Sequence, residues 1–225
     1  MENEPKVIPL PAPDFNRDFS LVHALQQRRS IRSFQKDQKL APDELSNLLW
    51  AAQGLIPRNG KFPPEQQDGL SYPPFRTAPS GGGYYSLVLY VVTREGVYLY
   101  LPEEHALVLY SENDLVDTLA DTFRIPFLQD AVRSASATIL FASDVEKATR
   151  WASSALDAVG APYMETGAAA QNLMLMATAM GLGTVLMQNF DPWHCAQHLK
   201  LPLRHALICA VLVGYKMPSH SESNE

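Results

Sequence analysis

Apolar positions along the chain fall into two kinds of run. Short, nearly unbroken runs predict buried strands: residues 86–93 (SLVLYVVT), 97–101 (VYLYL), 137–142 (ATILFA) and 207–215 (LICAVLVGY). Arg94-Glu95-Gly96 separates the first two, which should therefore pair as a hairpin. Runs with helical spacing lie between and around them. Ser20 can cap a helix reaching about Gln27, with Leu21 and Leu25 on one face. Pro42, Asp43 and Glu44 suit a helix first turn, Leu45, Leu48, Leu49 and Ala52 make its buried stripe, and Gly54 ends it. Residues 115–123 and 145–158 also read as helices, the second followed by Gly160 and Pro162. Asp191 and Pro192 open a helix through about Leu199.

The most apolar stretch is 164–189, METGAAAQNLMLMATAMGLGTVLMQN. Leu173, Met174, Leu175, Met176 and Met180 point in several directions around a helix, and Ala168, Ala169 and Ala170 add small faces. A helix apolar nearly all round belongs in a core or an interface. Gly181 and Gly183 end it, and residues 184–188 read as a short strand.

Helices and strands mix without strict alternation, and at least one hairpin is present. This predicts an α+β fold with a largely antiparallel or mixed sheet surrounded by helices. Nothing divides the chain internally, so the organisation expected is an extended proline-rich arm over 1–20, one domain over 21–216 and a polar tail over 217–225. Residues 58–79 hold five prolines and read as a long loop.

Composition narrows the function classes. The chain has 225 residues, 46% hydrophobic and 19% charged, as in ordinary globular proteins. A formal net charge of -6 argues against nucleic-acid binding, and no apolar run is long enough to span a bilayer. Cys195 and Cys209 are too few for a disulfide framework and lack metal-ligand spacing. Free thiols and the absence of a leader predict a cytoplasmic protein without a metal site.

Three short segments could carry chemistry. Arg28-Arg29-Ser30-Ile31-Arg32 concentrates cations and a hydroxyl, a pattern that suits a phosphate or a helix end complementing its dipole. Ala78-Pro79-Ser80-Gly81-Gly82-Gly83 precedes the clearest strand. It allows close backbone approach to a ligand, or simply makes a turn. Gln188 and Asn189 end the strand after the glycine turn, where their amides can meet a ring edge or cap a turn. No histidine lies in H-E-x-x-H, no serine in G-x-S-x-G, and no side chain is assigned as a catalytic acid or base.

In this order, RRSIRSF (28–34), RTAPSGGGYYSLVLYVV (76–92) and ETGAAAQNLMLMATAMGLGTV (165–185) with LMQNFDP (186–192) resemble the nitroreductase family of flavin enzymes. The wording APSGGGYYSLVLYVV and VYLYLPEEHALV (97–108) is most similar to the SagB-type dehydrogenase branch, some of whose members oxidise azoline rings in peptides. The resemblance implies a nitroreductase-like fold with tightly bound FMN, NADH or NADPH as electron donor, and a homodimer with FMN at the interface. It places the FMN phosphate and ribityl chain on Arg28, Arg29 and Ser30, the pyrimidine edge near Arg32, and the ring against Pro79, Ser80, Gly81 and Gly82. Gln188 and Asn189 then lie near N5, and Lys216 is the cation available for the late phosphate contact. Two departures stand out: the C-terminal extension is short, and Arg150-Trp151 stands where azoline oxidisers carry Lys-Tyr.

The expected activity is hydride transfer from NAD(P)H through FMN to a nitro compound, quinone or similar acceptor. The alternatives are a peptide azoline dehydrogenase acting with a partner cyclase, and a catalytically silent FMN-fold binding protein.

Overall fold

A computed structural model describes residues 6–56, 75–150 and 152–218. Most of the proline-rich loop, Trp151, and the tail beyond Pro218 lie outside the described residues. The strands are β1 (Val7–Pro9), β2 (Leu87–Thr93), β3 (Gly96–Leu101), β4 (Ala106–Ser111), β5 (Ala137–Asp144), β6 (Gly183–Met187) and β7 (His205–Gly214). The helices are α1 (Leu21–Gln27), α2 (Pro42–Gln53), α3 (Val116–Asp121), α4 (Pro126–Ser134), α5 (Val145–Thr149), α6 (Ala155–Ala179) and α7 (Pro192–His198).

The strands form one sheet in the order β1-β4-β3-β2-β5-β7-β6. Every pairing between these strands is antiparallel. The α+β reading therefore holds, on its antiparallel side.

Both faces of the sheet are covered, which explains why its central strands are apolar throughout rather than alternating. On one face Leu89, Val91, Ile139, Phe141, Cys209 and Val211 pack under α2 and α6. On the other, Tyr90, Val92, Leu140, Ala142, Ala210 and Leu212 pack against α3, α4 and α7. Phe34, which follows α1 in the chain, is 2% exposed and belongs to this second cluster.

The structure corrects the sequence reading at the start of α6. Residues 145–158 are not one helix. α5 stops at Thr149, with Asp144 accepting from the Glu146 and Lys147 amides at its N-terminus. Ser154 then caps a new start by accepting from the Asp157 amide at 3.1 Å. From there α6 runs 25 residues, straight through Gly160 and Pro162. Pro162 forfeits one helical hydrogen bond, a local cost offset by tertiary packing.

That packing also shows that α6 is not buried all round. Pro162, Glu165, Thr166, Ala169, Ala170, Leu173, Met174, Ala177 and Thr178 are buried, a stripe of alternating three and four spacing. Leu156, Val159, Tyr163 and Met164 are exposed, Leu156 by 79% and Met164 by 74%.

Three elements escaped the sequence pattern. β1 lies in the proline-rich arm and becomes a strand only by pairing with β4. β4 returns from β3 through a turn in which His105, not a glycine, takes a positive φ of 46°. α4 has only a short buried stripe, Leu128, Ala131 and Val132.

His105 accounts for how the arm is held. Its Nδ1 lies 2.9 Å from the Tyr100 hydroxyl. Its Nε2 lies 2.8 Å from Ser46 Oγ, which donates to the Pro11 carbonyl at 2.6 Å. With Tyr100 donating to Nδ1 and the Nε2 proton going to Ser46, every group is satisfied with the ring neutral. Burial pushes the pKa of His105 below its ordinary value, and the same cause lowers that of His205, whose Nδ1 lies 2.6 Å from the Tyr90 hydroxyl.

A depressed histidine contributes stability that is complete above about pH 6.5, the unfolded value, and is lost as pH falls through the lower folded value. Wild-type protein should therefore lose more melting temperature between pH 7 and pH 5 than a His105→Gln variant. Equal losses, measured by differential scanning calorimetry, would show that the ring does not contribute.

Candidate functional site

The segment after α1 is laid beside the outer strand of the sheet. Arg28 is the C-cap of α1, its amide bonded to the Ala24 carbonyl. Ser30 forms a parallel bridge with Thr184, and the Ile31 amide donates to the Thr184 carbonyl at 2.8 Å. Four residues on, Phe34 bridges Lys216, and the Gln35 side chain donates to the Lys216 carbonyl at 2.7 Å. Residues 30–35 thus run from the start of β6 to the end of β7, gathering Arg28, Ser30, Arg32 and Lys216 at one end of the sheet.

Gly183 makes this convergence possible. A Cβ there would lie 3.0–3.1 Å from the Ile31 side chain and 3.2 Å from Lys216 Cγ. A side chain here would press on both segments that close on β6, and glycine avoids the contact.

The cations of this cluster divide in function. The Arg29 guanidinium turns back onto α1, donating to the Gln26 and Arg28 carbonyls at 2.8 and 2.9 Å. It therefore does what a basic residue at a helix end does by itself. Arg28, Arg32 and Lys216 have no acidic partner among the described residues. Elsewhere in the same protein, Arg94 and Arg133 are held among Asp114, Asp117 and Asp121.

Gln188 and Asn189 leave β6 at its far end, about 17 Å from Gly183 at 3.3 Å per residue. Both are exposed. The Asn189 carbonyl accepts weakly from the Arg124 amide at 3.4 Å, so its backbone is tied to the α3–α4 connection. Between the two ends, Val185 and Met187 face the α3–α4–α7 core, so alternation turns Leu186 to the α6 face. Leu186 is 37% exposed there, an apolar platform the sequence reading did not single out.

The APSGGG loop lies elsewhere. Thr77 Oγ1 donates to the Trp50 carbonyl of α2, and Asn172 of α6 donates to the Thr77 carbonyl. Arg76 braces the same segment: it donates to Gln53 at 2.9 Å, pairs with Glu103 at 2.6 Å and stacks over the Tyr85 ring at 4.9 Å. Gly82 and Gly83 adopt φ of 62° and 71°, conformations that glycine takes without strain. Pro79, Gly81 and Gly82 are exposed. The Ser80 hydroxyl turns inward, accepting from the Tyr85 amide at 2.9 Å and donating to Glu165 at 3.2 Å.

Within one chain these residues are thus not a single cluster. Ser80 is tied to Glu165 near the N-terminal half of α6, whereas Arg28, Ser30, Arg32 and Lys216 gather beyond its C-terminus. Glu165 and Ala179 are about 21 Å apart along the axis at 1.5 Å per residue.

Other titratable groups are occupied with packing. Burial pushes the Cys195 and Cys209 thiols up to about 12, so both are inert, protonated core residues. Among the described residues no cluster of histidine, cysteine and carboxylates can hold a metal ion. No described helix is long and apolar enough to cross a membrane.

The chain thus combines an antiparallel sheet covered by helices on both faces, a cation cluster at the head of an edge strand and a glycine loop tied to the long helix. The chain belongs to the nitroreductase family, whose family model matches residues 25–215. It is therefore an oxidoreductase of that family. It is 33% identical over 191 residues, covering 82% of this chain and 86% of the relative, to a Methanocaldococcus jannaschii protein provisionally named a nitroreductase.

Among solved structures, one provisionally named a nitroreductase from Ralstonia eutropha superposes with a TM-score of 0.76 at 28% identity, over 95% of this chain and 90% of that one. A Desulfovibrio desulfuricans structure in the same family, determined in complex with FMN, gives 0.59 at 21%, over 92% of each chain. A chain of the Escherichia coli microcin synthetase McbBCD complex, bound to a truncated precursor, gives 0.66 at 20%, over 96% of this chain and 80% of that one. These last two share the fold.

The tight contacts around Gly183 yield a direct test of the site's construction. Gly183→Val should force residues 30–32 off β6 and cost about 1–3 kcal/mol, the usual range for overpacking. Urea denaturation checks this; an unchanged midpoint would mean that the Ile31 and Lys216 contacts yield freely.

Proposed function

We propose that this protein is an FMN-dependent oxidoreductase whose flavin lies along β6, with its phosphate at the cation cluster. The observation that carries the reading is the set Arg28, Arg32 and Lys216, without acidic partners, around the Ser30–Thr184 bridge. Charge left uncompensated at a glycine-opened position suits a phosphate, which takes charge-assisted hydrogen bonds from guanidinium and ammonium groups. Arg28 and Lys216 would bind it, with the Ser30 hydroxyl adding a donor. Arg29 would contribute through its charge and by holding the Arg28 carbonyl with Nη1, its Nη2 and Nε protons remaining for the ligand. Arg32 would face the pyrimidine edge, where a fixed cation stabilises negative charge.

Bound FMN would supply two-electron chemistry, accepting hydride from NADH or NADPH and passing it to an organic acceptor such as a nitro compound or quinone. Leu186 would lie against the ring as its apolar support, with Gln188 and Asn189 at its polar edge. No side chain of the chain is assigned as a proton donor.

The reading also accounts for the separation of the glycine loop from the cation cluster. α6 leaves Leu156, Val159, Tyr163 and Met164 exposed, and α1 beside it exposes Leu21, Val22 and Leu25. A homodimer that buries these faces about a two-fold axis perpendicular to α6 would pair α6 antiparallel with its copy. The N-terminal half of one α6 then meets the C-terminal half of the other. Pro79, Ser80, Gly81 and Gly82 of one protomer would thereby reach the flavin held by the cations of its partner.

A second reading, a peptide-tailoring dehydrogenase working with a partner cyclase, draws on the structural likeness to the microcin synthetase chain. Arg150, which pairs with Glu146, is exposed in the corresponding region and supplies no lysine base. The first reading is accordingly preferred.

Purified protein should be yellow, with one FMN per chain, and should bleach on addition of NADPH or NADH. Colourless protein that takes up no added FMN would sink the proposal. Arg28→Ala should weaken FMN binding by about 1.5–3 kcal/mol, roughly ten- to a hundredfold, while leaving the melting temperature of flavin-free protein nearly unchanged. Equal affinities by fluorescence titration would remove Arg28 from the phosphate site.

A further inference from the structure

Glu165 is an acid in a stripe whose other members are proline, threonine, alanine, leucine and methionine. It is 4% exposed and forms no ion pair among the described residues. Its Oε2 accepts from two hydroxyls, Ser80 Oγ and Ser86 Oγ, each at 3.2 Å. The backbone amides of Ser86 and Leu87 also face it, and burial raises its pKa above the usual carboxylate range. Its Oε1 is buried without a partner.

The hydroxyl of Ser80 has a single proton and two neighbours. Its oxygen takes the Tyr85 amide at 2.9 Å, so its proton goes to Glu165. This one side chain therefore closes residues 80–85 into a loop and ties the loop to α6. The loop needs such a tie. Gly82 and Gly83 stand at positive φ, and so does Tyr85, at 47°, without the freedom of a glycine. A non-glycine residue in that region persists only where its surroundings over-determine it. Meanwhile the amides of Gly83 and Tyr84 are used within the loop, bonding to the Ser80 and Gly81 carbonyls. Those of Gly81 and Gly82 have no partner among the described residues.

We propose that Glu165 is a positioning residue: through Ser80 and Ser86 it holds residues 80–85 in the shape that presents the Gly81 and Gly82 amides to the flavin. This rests on the FMN reading for its purpose, though not for the clamp itself. It also reassigns Ser80. Its side chain builds the loop, and only its backbone and the two glycines remain for the ligand.

Hydrogen exchange of amides 81–85 in flavin-free protein tests the clamp, and FMN affinity tests its purpose. Glu165→Ala should speed exchange of the Tyr85 amide about tenfold and weaken FMN binding about tenfold, the effect of losing one to two buried hydrogen bonds. Glu165→Gln keeps an acceptor oxygen for both serines and should stay within about threefold of wild type in both measurements. Ser86→Ala removes one tie only and should fall between them, which preserves the test should the alanine variant not fold. Unaltered exchange in Glu165→Ala or Ser86→Ala, or a Glu165→Gln variant as loose as Glu165→Ala, would overturn the proposal. Wild-type protein that binds no FMN would remove the flavin reading while the exchange data still decide the clamp.

Discussion

The packing of one stripe of α6, from Pro162 to Thr178, against β2, β5 and β7 sets the position of every chemical feature described above. The stripe alternates small residues, Ala169, Ala170 and Ala177, with larger ones, Leu173 and Met174, all of them buried. With that face buried, the helix must end at Gly181, which takes φ of 78°, and the chain must turn directly into β6. The edge strand is thereby delivered beside the basic segment after α1. The same packing brings Glu165 beneath the glycine loop. A shift of α6 along its axis would move both ends at once.

Charge is distributed to match. Arg94 and Asp117 pair at a partly exposed position, where such a pair contributes little stability individually. The basic residues at the head of β6 have no acidic partner among the described residues, although the chain is acidic overall. Leaving like charges together raises the energy of the unliganded protein, and an anion relieves it. Glu165 shows the opposite arrangement: a buried acid with two hydroxyl donors and no cation among the described residues, which makes it a hydrogen-bond hub rather than an ion-pair partner.

The family and the fold are those of the nitroreductases. The two-cluster geometry adds what similarity does not state. The glycine loop and the cation cluster lie towards opposite ends of α6, whose span from Glu165 to Ala179 is about 21 Å, and the proposed homodimer would bring one chain's loop to its partner's cations. The exposed apolar residues of α1 and α6 supply a surface on which that second chain can sit.

Much of this was legible in the residues themselves. Unbroken apolar runs located β2, β3, β5 and β7, because a strand covered on both faces has no polar side to alternate. The caps at Ser20 and Asp191 and the first turn at Pro42 located three helices, because helix ends are local chemistry. The basic and glycine segments were visible as candidates for the same reason. Other features needed the tertiary structure. Only pairing with β4 makes a strand of the proline-rich Val7–Pro9, and only packing on the sheet lets α6 run through Pro162, since local propensity opposes both. That Arg28 and Lys216 come to the same end of the sheet depends on segments more than 150 residues apart meeting at Thr184 and Lys216. The role of Glu165 was hidden for the same reason: a lone acid in an apolar helix acquires meaning only from the two serines that the fold brings to it.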